Sequence, residues 1–77
     1  MTEDFIKKYL RNIVKEARKR RGLTQKQLAE RLGYTKNTVT KIETVRHPDF
    51  HKLLKIAEAL DLELRLPTFI EKKRKKL

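Results

Sequence analysis

The sequence predicts an all-α fold: a bundle of four main helices closed by one short C-terminal β-strand. Three observations lead there. Apolar residues recur at three- and four-residue intervals through most of the chain. The only two glycines, Gly22 and Gly33, and the only two prolines, Pro48 and Pro67, fall between those periodic stretches rather than inside them. After Leu60 the period changes to two, in Leu62-Glu63-Leu64-Arg65-Leu66, which is strand patterning.

The first helix is expected over residues 4–21, with Ile6, Leu10, Ile13 and Ala17 on one stripe and Val14 beside it. Lys and Arg crowd its last turn, where the helix dipole favours cations, and Gly22 ends it. Thr24 is a good N-cap, and Gln27 stands three residues later, as a capping box requires. A second helix follows over Gln25 to Leu32, with Leu28, Ala29 and Leu32 inward, until Gly33. Thr35 caps a third, running to about Thr44 with Val39 and Ile42 inward. Asp49 caps a fourth, whose Phe50, Leu53, Leu54, Ala57 and Leu60 share one face. The strand over 62–66 stops at Pro67. Three segments result: a helical domain over residues 1–61, the strand segment 62–67, and a basic tail over 68–77 expected to be flexible.

At 77 residues the chain allows one domain with a small core. Twenty-one Lys and Arg against ten Asp and Glu give a net charge of +11, which points to a polyanionic partner, nucleic acid before an anionic membrane. No apolar run approaches the roughly 20 residues of a membrane span. Met1-Thr2-Glu3-Asp4 lacks a signal-peptide apolar region. A cytoplasmic protein that makes no use of membranes is expected. The absence of cysteine excludes disulfides and thiolate sites. His47 and His51 are four apart but have no third ligand in view, so no metal is expected. With no nucleophilic cysteine, no phosphate-binding glycine loop and no carboxylate pair at ligand spacing, neither an enzyme nor a cofactor is expected.

The segment Gln25–Glu43 carries the functional signal. Two short helices are joined by Gly33-Tyr34-Thr35. Ala29 is small enough for a steep crossing, Gly33 tolerates the positive φ of the turn, and Val39 and Ile42 anchor the second helix on the first. These are the demands of a helix-turn-helix. Projected at about 100° per residue, Lys36, Asn37, Thr40, Lys41 and Thr44 share the side opposite Val39 and Ile42. That face is wholly polar and free of acid. Lysine can donate to guanine, asparagine can pair with adenine through two hydrogen bonds, and the threonine methyl can meet thymine. Thr24 and Gln25 stand at a helix N-terminus suited to phosphate. Arg46 and His47, in the loop after the reading helix, could hold the DNA backbone on the other side, although His47 serves equally well as a solvated loop residue.

The string Gly22-Leu23-Thr24-Gln25-Lys26-Gln27-Leu28-Ala29-Glu30-Arg31-Leu32-Gly33, followed by Thr35 to Glu43, resembles the lambda-repressor-like (Cro/C1, XRE) helix-turn-helix family over residues 10–61. The resemblance implies binding to double-stranded DNA. It implies base readout by Lys36, Asn37, Thr38, Thr40 and Lys41. Phosphate contacts are implied at Gln25, Thr44 and Arg46, and Thr24 and Thr35 at the helix starts join them. It also implies an ion pair between Arg18 and Glu43 that sets how the reading helix is presented. A glycine usually follows the Ile-Glu-x segment in that family, whereas Val45 stands there in this chain and the Arg46-His47 loop is short.

The ending Leu60 to Leu66 is similar to that of HipB- and HigA-type antitoxins, whose strand pairs with a twofold mate. A lone strand leaves its backbone groups unpaired. Residues 62–66 therefore either form a ribbon with a second copy, with Leu62, Leu64 and Leu66 at the interface of a homodimer on a palindrome, or fold back on their own chain. The resemblance implies a repressor, and either a toxin protein as partner or a stand-alone regulator. For Lys72 to Lys76 a solvated tail, an arm on phosphates, or a segment that orders on a partner all remain open.

Overall fold

A computed structural model describes residues 3–65 and 68–71, with side chains from Phe5 onward. Four helices run in order, α1 (Glu3–Arg20), α2 (Gln25–Leu32), α3 (Lys36–Thr44) and α4 (Phe50–Ala59), followed by β1 (Leu62–Arg65) and β2 (Thr68–Glu71). Among these residues no helix is long and apolar enough to cross a membrane.

Local chemistry fixes the helix ends. Thr24 Oγ1 accepts from the Gln27 N–H at 3.0 Å, and Gln27 Oε1 accepts from the Thr24 N–H at 2.9 Å, a complete capping box. Thr35 and Asp49 cap α3 and α4 by accepting from the N–H groups three residues on. Gly33 sits at φ +70°, and the Tyr34 N–H reaches the Ala29 carbonyl at 2.9 Å, closing α2. A Cβ at Gly33 would meet nothing within 4 Å, so its constraint is backbone conformation alone. Gly33→Ala is expected to lower stability by about 1 kcal/mol in urea denaturation. An unchanged midpoint would show that the turn relaxes out of the left-handed region.

The core is a single cluster. Leu10, Val14 and Ala17 of α1 meet Leu28 and Ala29 of α2, Val39 and Ile42 of α3, and Leu53, Ile56 and Ala57 of α4, with Leu60, Leu62 and Phe69 completing it. The α1 stripe centres on Leu10, Val14 and Ala17; Ile6 and Ile13 are half-buried at its margins. Ile56 lies inside the core, while Phe50 and Leu54 are half-buried beside it.

The C-terminal end departs from the expected lone strand. β1 pairs antiparallel with β2 in the same chain, with Leu62 opposite Glu71, Glu63 opposite Ile70, Leu64 opposite Phe69 and Arg65 opposite Thr68. Residues 68–71, assigned above to the tail, are therefore a strand. The reason is physical: Thr68, Phe69 and Ile70 are good strand formers, and Phe69 buries its ring in the core. Leu62 and Leu64 pack on this chain's own core, and Leu66 lies outside the described residues. Arg21, in the turn just after α1, ties the hairpin down through Nη2 to Glu71 Oε2 at 2.8 Å.

Candidate nucleic-acid interface

The geometry of α3 follows from what its inner face touches. Val39 and Ile42 are buried in the core, and Glu43, the only acid of the helix, is buried with them. Lys36, Asn37, Lys41 and Thr44 are exposed on the outer side, with Thr38 and Thr40 half-buried. Turning the one carboxylate inward leaves a face of cations, an amide and hydroxyls, without the repulsion an acid would bring to a phosphate backbone.

Glu43 is held in a fully satisfied network. Arg18 Nε donates to Glu43 Oε2 at 2.7 Å and Nη2 donates to Oε1 at 3.1 Å, while Nη1 donates to the Leu23 carbonyl at 2.6 Å. Both residues are nearly inaccessible, at 7% and 3% exposure. Gln25 Nε2 adds a bond to Glu43 Oε1 at 3.0 Å. One buried pair thereby links α1, the start of α2 and the last turn of α3.

The same network orients Gln25. Its Nε2 faces a carboxylate that can only accept, and its Oε1 accepts from Thr40 Oγ1 at 2.9 Å. The amide therefore has one defined orientation, with one N–H left beyond these two bonds. Thr24 Oγ1 accepts in the capping box, so its proton is available for another acceptor. The Gln25 and Lys26 N–H groups open α2, where no intrahelical acceptor exists and an anion is favoured.

The threonines of α3 differ in what they can offer. Thr40 Oγ1 divides its proton between Gln25 Oε1 and the Lys36 carbonyl, the latter at 3.0 Å, so its hydroxyl is committed and its methyl is not. Thr38 shares a hydroxyl bond with Thr35 at 3.0 Å. Thr44 Oγ1 donates to the Thr40 carbonyl at 2.7 Å and would have to rotate to donate to a phosphate. Arg46 and His47 are exposed in the following loop.

Sequence reasoning missed Arg11. Val45 occupies the position where a glycine usually ends this helix, and it adopts an extended conformation (φ −72°, ψ 152°) with its N–H on the Lys41 carbonyl. The last carbonyls are taken instead by Arg11 Nη1, at 3.3 Å from Thr44 O and 2.5 Å from Val45 O. A cation from α1 thus performs the cap and complements the helix dipole. The signal was present: Arg11 precedes Arg18 by seven residues, which puts both on the side of α1 that faces α3.

A short helix with a polar outer face, crossed over a second helix that starts in a capping box, is the geometry of a helix-turn-helix. Residues 14–66 match the family described as Helix-turn-helix, which is more than half of the chain. The chain belongs to the lambda-repressor-like helix-turn-helix family. A protein from Methanothermobacter thermautotrophicus named "Uncharacterized HTH-type transcriptional regulator" is 42% identical over 55 residues, covering 70% of this chain and 80% of that protein. No solved structure matches this helix-turn-helix protein. Family membership and this relative make the chain a DNA-binding transcriptional regulator.

Proposed function

We propose that the protein is a homodimeric transcriptional repressor of a palindromic operator, each protomer laying α3 in the major groove of one half-site. The observation that carries this reading is the outer face of α3, where Lys36, Asn37 and Lys41 are exposed and the helix's one carboxylate is buried. Lys36, Asn37 and Lys41 read base edges by hydrogen bonds, with Thr38 and Thr40 offering methyl groups. Thr24, Gln25 and Thr35 hold phosphates on one flank, and Thr44 and Arg46 hold them on the other. Bound across a promoter, such a dimer represses by occlusion.

A nine-residue reading helix spans few base pairs, so specificity favours two copies related by twofold symmetry. The hairpin offers the surface. Its two-stranded sheet leaves outer edges without strand partners among the described residues, and Ile70 is 39% exposed on it. Pairing edge to edge would give a four-stranded sheet, with Leu62 and Leu64 supporting it from beneath. A stand-alone regulator is favoured over an antitoxin with a toxin partner, because β2 closes the lone strand on which the antitoxin resemblance rested.

Selection from a randomised duplex library tests this. The enriched sites are expected to be twofold symmetric, with half-site centres about 10 base pairs apart. Asn37→Ala is expected to relax preference at one position per half-site, with about 1–3 kcal/mol of discrimination lost. Enrichment of an asymmetric site would remove the dimer, and the absence of enrichment would remove sequence-specific reading.

A further inference from the structure

We propose that the cleft between the N-terminal half of α1 and the C-terminal end of α3 is a phosphate site, which takes a backbone phosphate of duplex DNA beyond the groove read by α3, with Lys8 as its outermost contact. The inference rests on the DNA-binding reading above and extends the bound surface onto a helix that reading does not use.

The cleft has a volume of about 490 Å³ and is lined by Phe5, Lys8, Arg11, Thr44 and Arg46. Among the described residues its lining therefore holds three cations and no carboxylate. The cations divide their roles. Arg11 is committed to the Thr44 and Val45 carbonyls, so it fixes the wall formed by the end of α3. Lys8 and Arg46 are exposed, and neither enters an ion pair among the described residues. They supply mobile donors for an anion held between two elements. Phe5, 54% exposed, gives the cleft an apolar side that suits the sugar attached to a phosphate better than a bare inorganic ion.

Phosphate chemistry could be supplied by a DNA backbone or by a free phosphorylated metabolite. Continuity favours the backbone. Thr44 and Arg46 belong both to this cleft and to the flank of α3 where the strand must pass, so a duplex seated on α3 brings its own phosphates toward Lys8. On this view the backbone is gripped on both sides of the reading helix, by Gln25 at the start of α2 and by Lys8 and Arg46 here.

The full chain and its Lys8→Gln variant, titrated with the selected operator and with an unrelated duplex between about 50 and 200 mM salt, provide the test. Lys8→Gln is expected to weaken both duplexes by a similar factor, about 3- to 10-fold, and to make the log–log salt slope shallower by about 0.9 for each protomer bound. Base preference should be unchanged. Lys55→Gln, which removes the same charge from α4, should leave the slope as in the wild type. An unchanged slope in Lys8→Gln beside a loss of affinity in Lys36→Ala would overturn the cleft alone. A wild-type chain that binds no duplex would overturn the DNA-binding reading itself, and this site with it. Inorganic phosphate, followed by NMR on the same two proteins, separates the sources. If Lys8→Gln abolishes phosphate binding yet leaves the DNA slope intact, the cleft serves a free phosphate and the assignment to the backbone is wrong.

Discussion

Glu43→Leu is expected to remove about 3–5 kcal/mol of folding stability, read from urea denaturation by circular dichroism. The substitution strands the Arg18 guanidinium at 7% exposure with the Leu23 carbonyl as its remaining partner and takes the acceptor from Gln25 Nε2. A domain of this size holds roughly 4–11 kcal/mol in all, so the substitution removes a large share of it. The loss should reflect an orphaned charge rather than a missing attraction. The double variant Arg18→Met with Glu43→Leu is therefore expected to recover most of it, since burying two apolar groups avoids desolvating two ions. A loss below about 1 kcal/mol in the single variant would place the pair with ordinary surface bridges.

Affinity for duplex DNA is expected to fall about a hundredfold between 50 and 200 mM salt for a dimer. Lys8 and Arg46 are exposed beside the end of α3, and two copies bring about four cations to the phosphates. Four released counterions give a log–log slope of about −3.6. The net charge of +11 also accelerates encounter, so association rates should show part of the same dependence. A slope shallower than about −2 would mean that binding does not run through these cations.

Helix ends and the reading face were legible because both are local. Thr24 with Gln27, Gly33, Thr35 and Asp49 act on groups within a few residues, and the outward set on α3 follows from period alone. Features that depend on two distant segments meeting were not legible. Arg11 caps α3 because α1 passes the end of that helix at the right height; its seven-residue spacing from Arg18 gives the side of α1 but not that height. The committed hydroxyl of Thr40 depends on Gln25 crossing from α2. Ile56 enters the core because α4 packs against α1, α2 and β1, a wider enclosure than a single stripe implies. The strand at Thr68–Glu71 was hidden by its neighbours: five consecutive basic residues, Lys72 to Lys76, give the whole end the composition of a tail, although Phe69 alone supplies a ring to bury.

On the proposed reading the outer face of α3 enters the groove. Titration of the isotopically labelled protein with its selected operator, followed residue by residue by NMR, reports where the duplex sits. The largest changes are expected at Lys36, Asn37 and Lys41, with smaller ones at Thr24 and Gln25, while Lys55 and Glu58 on α4 stay still. Shifts concentrated on α4 or on the outer face of the hairpin, with Lys36, Asn37 and Lys41 unmoved, would contradict it.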